Sequence, residues 1–365
     1  MARRIVLLVS LLLSACAAGD APPPRTERAE AAPPEAPAPV RTVGLDSARL
    51  ASAVERAAAL PRLHALVVAR GGRVYAERYF RGPGREGRAN VKSVSKSIVS
   101  ALVGIAIHEG HLSGVDQPVA PFFERHLRGD ADSLKRRITV GNLLSMQAGL
   151  EPTSFSEYGA WVSSRDWVGY VVRRPMVDRP GGRMLYSTGS THLLSALLTR
   201  ATGMSTYAYA RSRLARPLGI ELRPWTTDPQ GIYFGGNEMR LTPRDMLRFG
   251  ELYRNGGVHE GKQVVPAEWV RDSWVQRTRS PYNGHGYGYG WWMRPAGEGG
   301  EHTVYFAWGY GGQFIFVVPE LELTVVVTSE AEAPREGGHL RAVHALLDQE
   351  IIPAAVAGEA QRPRS

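Results

Sequence analysis

The sequence predicts a mixed α/β fold of the α+β kind: an antiparallel sheet built from both ends of one domain, flanked by helices, with a mainly helical region inserted between them. The first observation is a pair of β-rich runs, residues 63–68 and 74–80, around Gly71-Gly72, which is a hairpin signal. The second is a matching set of runs in the last third of the chain, 287–293, 313–318 and 323–328, the last two joined by a turn at Pro319-Glu320. The third is the helical apolar spacing of almost everything in between. An irregular Gly/Arg-rich stretch over 81–88 gives way to an apolar helix over 98–107. Thr139 opens a helix carrying Leu143 and Leu144. Thr242-Pro243-Arg244-Asp245 supplies an N-cap threonine, a proline at the first helical position and an acid two residues on, leading into Met246, Leu247 and Phe249. A helix over 338–351 closes the domain, and no internal repeat is present.

The ends of the chain read differently. Arg3 and Arg4 precede an apolar run over 5–13 that is too short to span a bilayer as a helix, the pattern of a secretion signal. The run ends in Leu13-Ser14-Ala15-Cys16, which resembles the lipobox of bacterial lipoproteins; that resemblance implies a signal over 1–16 and a lipidated Cys16 as the new N-terminus. An ordinary cleaved signal with an incidental cysteine is the competing reading. Cys16 is the only cysteine in 365 residues, which excludes intramolecular disulfides and cysteine-based metal sites. Residues 17–42 are rich in Ala, Pro and Glu and cannot bury a core, so they read as a tether. In extended form it would reach on the order of 70 Å at ~3 Å per residue. The domain then occupies 43–358, with a tail at 359–365. The expected location is the bacterial cell envelope on the periplasmic side; Ala17 after the cysteine, in place of an inner-membrane-retaining Asp, favours the outer membrane. The net charge of +9 does not read as nucleic-acid binding, because the chain is secreted and carries no Lys/Arg block with interleaved aromatics. It fits an anionic envelope surface or nothing specific.

The chemistry centres on Ser93-Val94-Ser95-Lys96 together with Tyr186. A serine and a lysine three apart share one helix face, so the amine reaches the hydroxyl. The chain writes nearly all its basic residues as arginine and keeps four lysines, at 92, 96, 135 and 262. Arginine holds its proton in a protein, whereas a buried lysine can be driven neutral and act as a base. A chance Ser-x-x-Lys match is the competing reading, since Lys92 shows that a lysine here needs no catalytic role. Ser93 also falls at the start of a helix, where backbone N–H groups favour a developing oxyanion. Other signals are weaker. His108-Glu109-Gly110-His111 lacks the spacing of a zinc helix, and no Gly-x-Ser-x-Gly elbow occurs, so no metal and no cofactor are expected. The Gly/aromatic run 284–292 reads as a loop feeding a strand, its rings in the core or in one wall of a cleft. Asp116 and Asn237 read as turn residues.

Three motifs in order, Ser93-Val94-Ser95-Lys96, Tyr186-Ser187-Thr188 and Trp308-Gly309-Tyr310-Gly311-Gly312, make the chain resemble the serine β-lactamase and DD-peptidase superfamily. The class C type is the nearest, with its family VIII carboxylesterases and 6-aminohexanoate-dimer hydrolases. The likeness runs over nearly all of 63–347, including the stretches 139–150 and 235–245. It implies a β-lactamase/transpeptidase-like fold and a seryl acyl-enzyme, with Ser93 as nucleophile and Lys96 and Tyr186 sharing the general-base role. Polar or cationic neighbours are expected to lower the Tyr186 phenol. The same resemblance implies an oxyanion hole from the backbone N–H groups of Ser93 and Tyr310. It places Thr188, Trp308, Gly309 and Gly311 on the substrate, the glycines letting the backbone approach it. Two departures bear on substrate. Trp308 stands where penicillin-recognising members carry a cation, and an indole cannot pair with a carboxylate. Thr188 stands where they carry an asparagine. Both favour a small neutral ester or amide, unless Arg294, His285 or His302 restores a cation. A β-lactamase or DD-peptidase, and a catalytically idle binding protein of the envelope, remain the alternatives; the oligomeric state is open.

Overall fold

A computed structural model describes residues 44–332 and 338–360. The expected leader with Cys16, the 17–42 tether and most of the 359–365 tail lie outside the described residues. Helix α1 (Ser47–Ala59) is capped by Asp46, whose carboxylate accepts from the Arg49 N–H at 2.9 Å. Strands β1 (Leu63–Arg70) and β2 (Arg73–Tyr79) follow, turning at Gly71-Gly72. The chain then leaves the sheet through α2 (Ser95–His108), α3 (Val140–Leu144), α4 (Thr188–Thr202) and α5 (Pro243–Arg254). It returns as β3 (Thr278–Arg279), β4 (Gly286–Tyr287), β5 (Trp292–Ala296), β6 (His302–Gly309), β7 (Gln313–Val318) and β8 (Leu323–Ser329). These eight strands form one antiparallel sheet in the order β2-β1-β8-β7-β6-β5-β4-β3. The N-terminal hairpin is thus zipped onto the last strand, with Leu66 opposite Val327 and Val68 opposite Val325.

Alternation along the strands feeds two cores, one on each face. Val67 and Ala69 of β1 and Ile315 and Val317 of β7 pack with α2, α4 and α5. Leu66 and Val68, with Phe314, Phe316 and Val318, pack with α1 and with α6 (His339–Leu346). Each of the Val, Leu, Ile and Phe side chains among these contributes about 1.5–3 kcal/mol when fully buried. Arg70, 1% exposed, ties the domain ends together: its guanidinium donates to the carbonyls of Leu321 (2.9 Å), Gly44 (2.8 Å) and Ala355 (2.5 Å). The predicted start of α5 is present as a full capping box, Thr242 and Asp245 each accepting from the other's backbone N–H at 3.1 Å.

Three expectations need correction. Residues 287–293 are not one strand but the end of β4, a tight turn and the start of β5, with the Gly288 N–H donating to the Trp291 carbonyl at 2.9 Å. The turn exists because α2 docks there. Ser97 Oγ and Ser100 Oγ donate to the carbonyls of Gly290 (2.6 Å) and Tyr289 (2.7 Å), and a Cβ on Gly290 (φ +79°) would lie 3.0 Å from the Lys96 carbonyl oxygen. Secondly, the expected strand runs leave out β6, which spans His302–Gly309 and carries Trp308 near its end, with Tyr310, Gly311 and Gly312 forming its turn into β7. Thirdly, the last helix does not stop at Ile351; α6 continues through a wide turn, Leu347–Ile351, into α7 (Ile352–Ala360), passing the expected domain end at 358.

Candidate active site

Ser93 sits in a single 3-10 turn, Lys92–Val94, that feeds directly into α2. Lys92 before it has φ +49°, and Ser95 Oγ closes the turn by donating to the Lys92 carbonyl at 2.7 Å. One helical turn on, Lys96 is 2% exposed, and its Nζ lies 3.0 Å from Ser93 Oγ, 2.8 Å from the Gly236 carbonyl oxygen and 3.2 Å from Thr188 Oγ1. No carboxylate is among these partners, and burial pushes the ammonium down to about 7. A neutral amine has two N–H groups and one lone pair. Gly236 and Thr188 accept the two N–H bonds, which leaves the lone pair for the Ser93 O–H.

The supports of Lys96 come from far along the chain. Thr188 is fixed by Ser154, whose Oγ lies 3.0 Å from Thr188 Oγ1 and accepts from the Thr188 N–H at 2.9 Å. The segment leading to Gly236 is held by Asp228, which accepts from the N–H groups of Gln230 (2.9 Å) and Ile232 (2.8 Å) and meets His192 Nε2 at 3.1 Å, both side chains fully buried. Tyr186 lies beside Ser93, with Lys96 Nζ 5.2 Å from its ring centre and Trp292 stacked on it at 5.8 Å. The phenol is pushed up to about 12 by burial, and a hydrogen bond with Ser93 pulls it only partly back. The expected lowering is therefore reversed: the ring is walled by aromatics, and Lys96, once neutral, offers no positive charge to hold a phenolate.

Ser93, Tyr186 and Thr188 open into a cavity of about 1210 Å³ together with Trp308, Tyr310 and Gly311, so the structure brings the three sequence motifs together. Gly309 is the exception. A Cβ there would lie 2.2 Å from the Val91 carbonyl oxygen, so this glycine lets β6 approach the turn before Ser93 rather than the substrate. Thr188 lines the cavity but spends its hydroxyl on Lys96 and Ser154. Arg294, His285 and His302 do not reach the cavity; Arg294 is turned to Asp348 at 2.8 Å. Asn237, expected as a plain turn residue, lines it and donates to the Tyr158 hydroxyl at 2.9 Å. Sequence reasoning also missed Phe155, Tyr158, Tyr282 and Arg341 as wall residues, and Ser154 and Asp228 as supports. Asp228-Pro229-Gln230-Gly231 is made of turn-forming residues, and nothing in it signals a role behind a lysine.

A serine beside a buried amine, with no histidine among its partners in the described residues, in the turn that feeds α2 beside an antiparallel sheet, is an arrangement that fits a serine hydrolase. The family model of beta-lactamase matches residues 50–349, and the chain belongs to that family. Among its relatives is the 6-aminohexanoate-dimer hydrolase of Paenarthrobacter ureafaciens, 26% identical over 300 residues, covering 74% of this chain and 73% of that one. The same fold is found in EstCE1, a hydrolase with promiscuous acyltransferase activity (TM-score 0.67, 20% identity, 83% of this chain and 97% of that one). It is found again in a penicillin-binding protein homolog from Caulobacter crescentus (TM-score 0.68, 17% identity, 86% and 99%).

Proposed function

We propose that this serine hydrolase cleaves neutral carboxylic esters or amides through an acyl-enzyme on Ser93, with Lys96 as the base. The observation that carries the reading is the 3.0 Å contact between Ser93 Oγ and a buried Lys96 Nζ whose other two partners are acceptors. Neutral Lys96 takes the Ser93 proton as Oγ attacks the carbonyl. The oxyanion is held by the backbone N–H groups of Ser93 and Tyr310. Tyr186 keeps its own proton at rest. It relays by donating its proton to the leaving atom while accepting one from Lys96, so that no free phenolate is needed. Water then repeats the sequence on the acyl-enzyme. Trp308 in the cavity wall supports a neutral substrate. The relative's activity on 6-aminohexanoate dimer supports an amide as readily as an ester.

A second reading, a β-lactamase or DD-peptidase, draws on one observation: exposed Arg341 lines the cavity and is placed to meet a carboxylate. The two readings part when the domain from residue 43 is offered a short-chain p-nitrophenyl ester and a chromogenic cephalosporin, with Ser93→Ala alongside. Ser93-dependent ester cleavage with little cephalosporin turnover is expected; efficient cephalosporin turnover would put the second reading first, and inertness to both and to a serine probe would leave an idle binding protein. In the cell we place the domain on an envelope membrane through lipidated Cys16 and the 17–42 tether. Metabolic labelling with a lipid precursor tests this, and loss of label in Cys16→Ser is expected.

A further inference from the structure

Phe155 and Tyr282 are 56% and 65% exposed, more than any other large apolar side chain among the described residues, and both line the cavity. They come from unrelated parts of the chain: Phe155 from the 3-10 turn Phe155–Glu157 in the helical insertion, Tyr282 from the loop between β3 and β4. Their ring centres are 5.7 Å apart, and the Phe155 centre is 6.3 Å from that of Tyr186. Phe155 has φ +58°, the left-handed region, which strains a residue with a Cβ. Burial does not offset that strain here, and strained backbone of this kind gathers at functional sites. The Tyr282 loop is tied down rather than loose: its N–H donates to Ser280 Oγ at 3.2 Å, Arg279 donates to the Gly284 carbonyl at 2.6 Å, and the His285 N–H donates to Asn283 Oδ1 at 3.0 Å.

We propose that Phe155 and Tyr282 form a leaving-group slot that selects substrates departing as a flat aromatic alcohol or amine, that is, aryl esters and anilides. The inference rests on the acyl-enzyme reading above. The proton taken from Ser93 must be returned to the leaving atom, so that atom sits beside the Tyr186 hydroxyl. Whatever it carries extends along the Tyr186 ring, and the rings that continue this wall are Phe155 and Tyr282 on one side and Trp292 on the other. Tilted and stacked ring pairs favour a planar apolar partner over an alkyl chain of equal area.

The test compares 2-naphthyl acetate with phenyl acetate, which share one acetyl-enzyme and differ little in leaving-group acidity. The ratio of their kcat/KM values reads the slot alone. Wild type is expected to favour the naphthyl ester by about tenfold. Tyr282→Ala, and Phe155→Gly, which suits the left-handed backbone, should each reduce the ratio to about threefold, the double variant should bring it near one, and Tyr282→Phe should keep it. The change should appear in kcat/KM and not in kcat where deacylation limits. A ratio that stays the same in both single variants, with Ser93 acetylated normally by mass spectrometry, overturns the slot. Absence of acetyl from Ser93 in wild type overturns the acyl-enzyme reading and the slot with it.

Discussion

Lys96 and Phe155 both approach Tyr186 and are held in opposite ways. Lys96 is 2% exposed, and its three polar partners come from the turn before α2, the start of α4 and the segment before α5. Phe155 is 56% exposed and strained in its backbone, and its ring pairs with those of Tyr186 and Tyr282 at the cavity mouth. The floor of the cavity is a closed polar network in which removing one member leaves another buried group without its bond, at about 1–3 kcal/mol each. At the mouth, the rings of Phe155 and Tyr282 are exposed and pair with each other, so their truncation strands no buried polar group. On the proposed function, chemistry is therefore rigidly specified in this molecule, while substrate choice rests on side chains that change at little structural cost.

That contrast fixes the order of the expected effects. Ser93→Ala should lower kcat/KM for a p-nitrophenyl ester by about 10⁴-fold or more, since the nucleophile has no substitute. Lys96→Arg should cost about 10³-fold, because a guanidinium keeps its proton. In wild type the same rate should rise with pH through about 7, since the neutral amine is the active form and burial has brought its pKa down to that value. A rate that falls over pH 6 to 8 would break the assignment. Tyr186→Phe should cost about 10²-fold in kcat, as for a lost proton relay. Asp228→Ala acts one layer out: it strands His192 and two backbone N–H groups, so thermal unfolding should show a loss of about 3 kcal/mol and the pH profile should shift with the displaced Gly236 carbonyl. At the mouth, Tyr310→Ala should stay within about threefold, because the proposed oxyanion donor is its N–H and not its ring, whereas Tyr310→Pro should cost about 10²-fold.

The same contrast explains what could be read from the sequence. The hairpin at Gly71-Gly72, strands β7 and β8 and the cap at Thr242 were legible because turn and cap residues bracket apolar runs. Ser93, Lys96 and Tyr186 were legible as a motif. The turn between β4 and β5 was not, because Tyr287, Tyr289, Trp291 and Trp292 keep a strand-like richness in aromatics while Gly290 yields to α2 and Gly288 to the Ser273 carbonyl. Gly236 was invisible for another reason. It serves through a main-chain carbonyl 140 residues from Lys96, and a carbonyl leaves no side-chain signature. Asn237 and Phe155 were hidden because a wall is made by where a loop lands, not by its residue types.

The most direct test of the account is single-turnover acylation of Ser93, with enzyme in excess over an activated ester, followed against pH in wild type and in Lys96→Arg, the label then located by peptide mass. Acyl on Ser93 is expected, formed at a rate that rises to a plateau with a midpoint near 7 in wild type and is lower by about 10³-fold in the variant. Acylation of Lys96→Arg at the wild-type rate, or an acyl group found on any residue other than Ser93, would contradict it.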